Sequence, residues 1–168
     1  MALDIIRNAI CFVDGYRAPG TTQFMLPKIK MKTEKTFLGG VDGESEIEFG
    51  PNALEAKIKF ATVEQRMLKL SGLRPGVVKT FLFNAATISE MDASVKGMVC
   101  RMVGKVFDAD PGDTKHGDKT EWDYRIVGRT YRLKYDGAII HDFDPYNFVR
   151  IVDGVDQLAD IRRAMEME

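Results

Sequence analysis

Disulfides, membrane spans and secretion signals find little support in this sequence. Its 168 residues include only two cysteines, Cys11 and Cys100, which lie far apart within apolar, strand-like stretches. This placement favours buried free thiols in a reducing compartment over a disulfide. No apolar run approaches the ~20 residues of a transmembrane helix, and residues 1–7 lack the pattern of a signal peptide. We therefore expect one domain, made and kept in the cytoplasm without stable membrane association.

An excess of charge of either sign is also missing. Lysine plus arginine number 24 and aspartate plus glutamate 25, so the formal net charge is −1. A protein that holds DNA through its phosphates usually presents a basic surface, so tight DNA binding is not expected. Lys28, Lys30 and Lys32 alternate with less polar residues, but no aromatic residues are interleaved for base stacking. This row is more typical of a solvated sheet face.

Motifs of catalysis and cofactor binding are lacking too. The sequence has no nucleophile elbow, no phosphate-binding Gly-x-x-x-x-Gly-Lys loop and no dinucleotide Gly-x-Gly-x-x-Gly pattern. His116 and His141 do not stand in a metal-ligand spacing with either cysteine. We therefore predict no catalytic residue, no cofactor and no metal.

Residues 108–113 superficially resemble a calcium loop, because alternating carboxylates can converge on one cation. The register does not fit an EF-hand, whose fifth, sixth and twelfth positions are a ligand, a glycine and a glutamate. Here those positions hold Gly112, Asp113 and Lys119. Acidic residues are common in turns, so this segment is interpreted as an ordinary loop.

Alternation of apolar and polar residues dominates the chain and predicts a mainly β fold. Leu54, Ala56, Ile58 and Phe60 should share one side of a sheet. A strand over residues 8–13 should turn back at Asp14–Gly15, a hairpin signal. Further strands are predicted at 16–18, 28–33, 45–49, 77–88, 94–107 and 121–135.

Two of these strands are unusually long. Segments 94–107 and 121–135 could each run to about 14 residues, or roughly 46 Å, against about 5–6 residues in a typical strand. The polar segment between them, residues 108–120, is too long for a simple hairpin turn. Loops of this length are often functional.

One internal helix is predicted over residues 62–71. Thr62 to Gln65 fits a capping box, and Val63, Met67 and Leu70 continue at helical spacing up to Gly72. Pro75–Gly76 then ends the unit.

A second, short helix is predicted at the C-terminus. Asp153 is a candidate N-cap there, and Asp156 would occupy the third helical position. The apolar stripe would consist of Val155, Leu158, Ile161 and Met165.

The order and spacing of these pieces resemble the major tail tube proteins of contractile-tailed, P2-like bacteriophages and of R-type tailocins. The most specific likeness lies in residues 131–165. There, Tyr-Arg-Leu-Lys-Tyr-Asp-Gly is followed by Asp142-Phe-Asp-Pro-Tyr-Asn147, then by Asp153-Gly-Val-Asp-Gln-Leu158 and Arg162–Arg163. The likeness extends over nearly the whole chain, through residues 26–28, 32–34, 39–40, 54–57 and 110–113.

The resemblance implies one tail tube domain over residues 1–168, built as a β-sandwich with one internal α-helix and a short C-terminal helix. Its strands would join a β-barrel shared by a hexameric ring, where the long sheet edges find partners in neighbouring copies. Rings would stack into a hollow tube inside a contractile sheath. Such a tube conducts DNA in a phage, and in a tailocin it forms a membrane-piercing channel.

The resemblance also implies a set of partners. Besides copies of the chain, these are the tail sheath protein and a baseplate initiator, with the tape-measure protein and DNA in the lumen by transit only. Assembly would occur in the cytoplasm of the host bacterium, and the mature protein would reside in the virion tail or the tailocin particle. A conduit should not grip its cargo, so we expect a lumen that is not strongly basic.

On this basis three groups of residues are predicted to act in assembly. Strands 94–107 and 121–135 would belong to the shared inner barrel, through Val99, Arg101, Val103, Arg125, Val127 and Arg129. Loops 38–44 and 108–120 would contact the next ring or the sheath, through Gly39, Gly40, Asp42, Asp110, Asp113 and Lys115. The C-terminal helix would pack on the sandwich through Val155, Leu158 and Ile161, while Arg162 and Arg163 either reach a neighbour or remain solvated.

A different class of function stays open at this point. The chain could be a monomeric or dimeric β-sandwich module that binds carbohydrate or nucleic acid. An enzyme would need a concave site with convergent polar groups, for which the sequence offers no candidates. Size-exclusion chromatography with negative-stain imaging separates a module from a ring former.

Overall fold

The computed structural model describes residues 3–167, and the prediction of a mainly β chain is confirmed. Its elements, in chain order, are β1 (Asp4–Val13), β2 (Tyr16–Arg17), β3 (Thr21–Met25), β4 (Met31–Phe37), β5 (Glu44–Pro51), β6 (Leu54–Phe60), α1 (Gln65–Leu68), β7 (Lys79–Ser89), β8 (Val95–Asp110), β9 (Trp122–Tyr135), β10 (Ala138–Asp144), β11 (Val149–Val152), β12 (Val155–Asp156) and α2 (Ala159–Ala164). Neither helix within residues 3–167 is long and apolar enough to cross a membrane.

One branched antiparallel sheet holds ten of the strands. Its main path runs β12-β11-β10-β9-β8-β7-β1-β2, and β6 pairs with the first half of β9 and carries β3 on its other side. Because β10 pairs only with the second half of β9, the sheet divides there into two layers. Within residues 3–167 the sheet does not close into a barrel.

Strands β4 and β5 form a separate two-stranded ribbon, here called the arm (residues 31–51). A strand was predicted at residues 28–33, but β4 begins only at Met31. Lys28 and Lys30 therefore lie in the preceding loop and not in a sheet. That part of the prediction is wrong, since residues 26–30 form no ladder with a second strand.

The two long strands are confirmed, with 16 residues in β8 and 14 in β9. They lie at the centre of the sheet, so their backbone groups are paired within the chain, with β7 on one side and with β6 and β10 on the other. Gly104 and Gly128 face each other where the register shifts, and no side chain separates the two backbones there. This contact lets both strands pass from one layer into the other.

The core lies between the two layers. As predicted from the alternation, Leu54, Ala56, Ile58 and Phe60 of β6 are all at most 2% exposed. Beside them in the same layer lie Tyr124 and Ile126 of β9. They pack against the inward-facing residues of the other layer, which are Cys11, Phe81, Phe83, Cys100, Met102 and Tyr131. The alternation works because successive side chains of a strand point to opposite faces.

Asp-Gly pairs close three hairpins. In each, both residues have positive φ: 47° and 78° at Asp14–Gly15, 49° and 80° at Asp136–Gly137, and 49° and 77° at Asp153–Gly154. This is the type I′ geometry that matches the twist of the flanking strands. Asp153 therefore turns β11 into β12 and is not a helix N-cap, which corrects that prediction.

The internal helix is shorter than predicted and has no capping box. It covers only Gln65–Leu68, and its N-cap residue Glu64 makes no side-chain capping bond. The Glu64 carboxylate instead accepts a hydrogen bond from the Tyr16 hydroxyl at 2.8 Å. Of the three residues predicted at helical spacing, Met67 and Leu70 are buried, but Val63 is 62% exposed. Packing on the β1–β2 hairpin thus outweighed the local capping signal.

Helix α2 begins after Leu158, so Val155 belongs to β12 and not to the helical stripe. Val155 is 60% and Ile161 48% exposed, and no residue of α2 is buried. The helix follows the Asp-Gly hairpins at 136–137 and 153–154, but its apolar side is largely open in the single chain.

Candidate assembly surfaces

The reactive side chains of the described segment do not gather into a site. Within residues 3–167, no group of three or more His, Cys, Asp or Glu residues could hold a metal ion. His116 is exposed in a loop, while the His141 ring lies parallel to that of Phe143 at 5.6 Å. Cys11 and Cys100 are free and buried, and burial raises the pKa of Cys11 to about 11 and of Cys100 to about 12. Thiols held protonated in this way are poor nucleophiles.

Most of the predicted inner-barrel residues lie on one face of the sheet. Val99, Arg101 and Val103 alternate with the buried Cys100 and Met102, so they point away from the core. Arg125 and Val127 alternate in the same way with Tyr124 and Ile126, but in the layer that contains β6. We call the outward side of the other layer, formed by β7, the first part of β8 and the second part of β9, the open face.

Arg129 differs from the other five because it is the extra residue of a bulge. Val103 pairs with Thr130 and Gly104 with Gly128, which leaves Arg129 without a partner position on β8. Its guanidinium lies over the Tyr146 ring, 5.5 Å from the centroid. The regular alternation expected from sequence breaks at this residue.

The charges on the outward sides of both layers are partly neutralised. Arg125 forms ion pairs with Asp108 and with Glu55, the latter at 3.0 Å. Arg101 stands directly opposite Arg132, which binds Asp142 at 2.7 Å.

An unpaired strand edge runs along β1. On one side β1 pairs with β7 from Asp4 to Val13, but on the other side β2 covers only Phe12 and Val13. Among the described residues, positions 4–10 have no ladder partner on that side. Ile5 and Ile6 are 41% and 51% exposed there. Sequence reasoning missed this edge because it started the strand at residue 8, although Asp-Ile-Ile-Arg already favours an extended chain.

The predicted contact loops are exposed and lie in two different places. Gly39, Gly40 and Asp42 form the tip of the arm, where Phe37 is 77% exposed. Asp110 is the last residue of β8, while Asp113 and Lys115 lie in the loop that joins β8 to β9.

The C-terminal arginines behave differently from each other. Arg162 binds Asp156 at 2.5 Å and donates to the Phe148 carbonyl at 2.7 Å, so it ties α2 to the neighbouring turns. The hydrogen bond from Arg162 lowers the pKa of the Asp156 carboxyl. Arg163 contacts only Asp160 of its own helix, and both side chains are largely exposed. To reach another molecule, Arg163 gives up only a bond within its own helix, whereas Arg162 breaks contacts to two other segments.

A cleft beside α1 was not predicted. Its walls include Val13, Met67, Leu70 and Leu73, and its volume is about 370 Å³. The charged side chains of Asp14, Arg66, Lys69 and Lys79 also line it. We call it the α1 cleft. No local sequence signal marks it, because it forms between the β1–β2 hairpin and a segment 50 residues later.

Comparison with known proteins identifies a family that this chain matches. A family model described as phage tail tube protein FII matches residues 4–165. The major tail tube protein of Serratia phage KSP20 is 29% identical over 156 residues, covering 89% of this chain and 87% of the relative. The tail tube protein of Escherichia phage P2 is 26% identical over 156 residues, covering 90% of this chain and 91% of the relative.

Proposed function

This chain belongs to the phage tail tube protein FII family, and we propose that six copies of it close into rings that stack as the hollow inner tube of a contractile tail. Membership makes it a structural protein of the virion tail and not an enzyme, in agreement with the family predicted from sequence. The ring, the stacking and the contractile particle are the proposal.

The observation that carries the ring is the open sheet. A ten-stranded sheet with an exposed edge along β1 is an aggregation hazard unless another chain covers it. In a closed ring, the β1 edge of one copy pairs with the opposite border of its neighbour's sheet, near β10 to β12, and no edge remains. The partners missing from the single chain thus belong to β1 and not to the two long central strands.

The direction of the backbone groups on β1 identifies where this pairing can be tested. Cys11 accepts a hydrogen bond from the Ala18 amide on the β2 side, at 2.9 Å. Because a strand residue directs its N–H and C=O to the same side, and neighbours alternate, Ala9 also points to the open edge while Ile10 points to β7.

Ala9→Pro is the test of the ring. It removes a donor that only a neighbouring copy could use, so we expect a folded subunit that forms no rings. The matched control Ile10→Pro removes a donor that β7 already uses, and should disrupt the subunit itself. Size-exclusion chromatography, circular dichroism and negative-stain microscopy distinguish the two.

The wild-type result decides between the two classes of function. Six-membered rings or tubes from the purified chain support the proposal. A stable monomer or dimer under conditions that assemble related tubes would overturn it in favour of a binding module. Normal rings from Ala9→Pro would leave the ring standing but refute the β1 edge as its contact.

The open face is proposed to line the shared barrel. Val99, Arg101 and Val103 lie on the central strand β8 and face away from the core, so in a closed barrel they would point into the channel. Arg101 has no carboxylate within ion-pair distance among residues 3–167, and Lys134 on the same face has none either. A lumen that is not strongly basic therefore requires these two side chains to be neutralised by a neighbouring copy.

The two exposed loops are proposed to act between rings or against the sheath. Residues 38–44 form the tip of the arm, and residues 111–121 join the two long strands at one end of the molecule. Deleting residues 112–117 should shorten tubes or weaken sheath decoration while leaving rings intact. Unchanged tube length and decoration in electron micrographs would refute this role.

The remaining partners follow from a tube inside a contractile tail. They are the sheath protein outside, a baseplate initiator at one end, and the tape-measure protein and DNA in transit through the lumen. Assembly would take place in the host cytoplasm. If the particle is a tailocin instead of a phage, the same tube would act as a membrane-piercing channel.

A further inference from the structure

The arm is an acidic ribbon with an apolar tip. Residues 31–51 contain five acidic side chains (Glu34, Asp42, Glu44, Glu46, Glu48) against two lysines (Lys32, Lys35), a formal net charge of −3. Phe37, Leu38 and Val41 at its tip are 77%, 45% and 55% exposed. Both of its strand edges lack a further strand within residues 3–167. Such a ribbon is suited to a partner surface that is apolar at its centre and basic at its rim.

The two faces of the arm are not alike. Phe37 pairs with Glu44 and Lys35 with Glu46, so these four side chains share one face. On that face Lys35 lies 3.4 Å from Glu44, while Glu46 has no cationic partner among residues 3–167. Glu34 pairs with Ile47 and therefore lies on the other face.

The α1 cleft has the complementary chemistry. Its lining holds three basic side chains (Arg66, Lys69, Lys79) against one acidic side chain (Asp14), a formal net charge of +2. Lys79 is already bound to Asp14 at 2.6 Å, and Arg66 lies over the Tyr16 ring at 4.3 Å from the centroid. Within residues 3–167, Arg66 and Lys69 form no ion pair. The cleft's apolar walls enclose about 370 Å³, which is enough for an aromatic ring.

The arm and the cleft lie at opposite ends of β6. The arm ends at Pro51, just before β6 begins at Leu54, and α1 follows shortly after β6 ends at Phe60. Seven strand residues separate these ends by roughly 23 Å. A contact between the arm of one copy and the cleft of another is therefore head to tail, and contacts between unlike surfaces of this kind can repeat along an axis.

We propose that the arm tip docks in the α1 cleft of the next copy along the tube, with Phe37 between the apolar walls and Glu44 and Glu46 against Arg66 and Lys69. This rests on the proposed tube and specifies the surfaces that join successive rings. A second apolar groove lies between the base of the arm and α2. Its lining holds one basic and one acidic residue, Arg150 and Glu48, so it carries no net positive charge to select an acidic tip.

Charge reversal tests the contact. Glu46→Lys and Lys69→Glu should each shorten tubes about tenfold while rings persist, because either change places like charges across the interface. Combining them should restore tube length to within about twofold of wild type, as expected for residues in direct contact. The matched control Glu34→Lys makes the same charge change on the opposite face of the arm and should leave tube length unchanged.

Cross-linking tests the same contact without altering charge on the arm. Leu38→Cys and Lys69→Cys in one chain should give a ladder of disulfide-linked subunits in assembled tubes, and neither variant alone should do so. The native Cys11 and Cys100 are buried and should not contribute.

The outcomes separate the inference from the function on which it rests. Wild-type tubes with no cross-linked ladder, or with equal effects of Glu46→Lys and Glu34→Lys, overturn the docking and leave the tube standing. A wild-type chain that forms neither rings nor tubes overturns both. Ladder formation together with rescue by the double charge reversal supports the docking.

Discussion

Substituting alanine for Gly104 should weaken the point at which the two long strands cross between layers. A Cβ atom there would fall inside contact distance of the Val127 carbonyl oxygen and lie 2.9 Å from the Gly128 Cα. Both obstacles are backbone atoms, so no side-chain rotation can relieve the clash. Forcing extra atoms into a packed interior typically costs about 1–3 kcal/mol, and we expect Gly104→Ala in the upper part of that range.

Two other glycines supply matched controls. A Cβ at Gly97, on the same strand, would meet nothing within 4 Å, so Gly97→Ala should be neutral or stabilise by up to about 1 kcal/mol through the unfolded chain. A Cβ at Gly128 would meet the terminal methyl of Met102 at 2.5 Å, a flexible group that can move aside. Gly128→Ala should therefore fall between the other two.

Urea unfolding of the unassembled subunit, followed by circular dichroism and the fluorescence of the single tryptophan Trp122, measures these differences. The work must be done below the concentration of assembly, because association with other copies adds apparent stability. For a chain of this size, a loss of about 2–3 kcal/mol corresponds to a fall in melting temperature of roughly 5–10 °C. Equal free energies of unfolding for Gly104→Ala and Gly97→Ala, within about 0.5 kcal/mol, would refute the argument that close backbone contact at Gly104 is needed where the two long strands cross between layers.

Three further outcomes are expected. Hydrogen bonds from Tyr135 and Lys96 lower the pKa of Asp4 below its ordinary 3.8, so the ionised Asp4 should stabilise the fold above pH 3.8 and lose this effect as the pH falls through the lowered pKa. The urea midpoints of wild type and Asp4→Asn should then converge in acid. A difference between the two midpoints that stays constant with pH would contradict this. Cys11 and Cys100 should resist alkylation in the native subunit and react only after unfolding, as judged by mass spectrometry, since burial raises both thiol pKa values. Val99→Pro should abolish rings by disrupting the subunit, because Val99 pairs with both Asn84 and Lys134 inside the chain. A variant that folds and forms rings would exclude the central position of Val99 between β7 and β9.

Local chemistry accounts for the parts of the fold that the sequence predicted. Alternation assigned Leu54, Ala56, Ile58 and Phe60 to one buried face because side chains of a strand alternate regardless of which strand lies beside it. The Asp-Gly pair at 14–15 marked a hairpin because few residues tolerate positive φ twice in succession. Errors arose where a local signal competed with packing, as at Thr62 and Asp153.

The candidate surfaces were predictable only in part. The exposed loops and the alternating residues of β8 could be identified from composition and spacing, but their roles in assembly stay predictions. The free edge of β1 and the α1 cleft could not be identified. Both depend on which segments lie next to each other, and residues far apart in sequence decide this.

The sequence by itself determined that this protein is mainly β, where its long strands and tight turns lie, and to which family it belongs. Tertiary structure alone decided that the long strands lie at the centre of the sheet, that β1 is left open at the edge, and that an acidic arm and a basic cleft stand at opposite ends of β6. The physical reason is that side-chain alternation and turn preference act over a few residues. Strand pairing instead depends on how the whole chain satisfies its backbone hydrogen bonds at once.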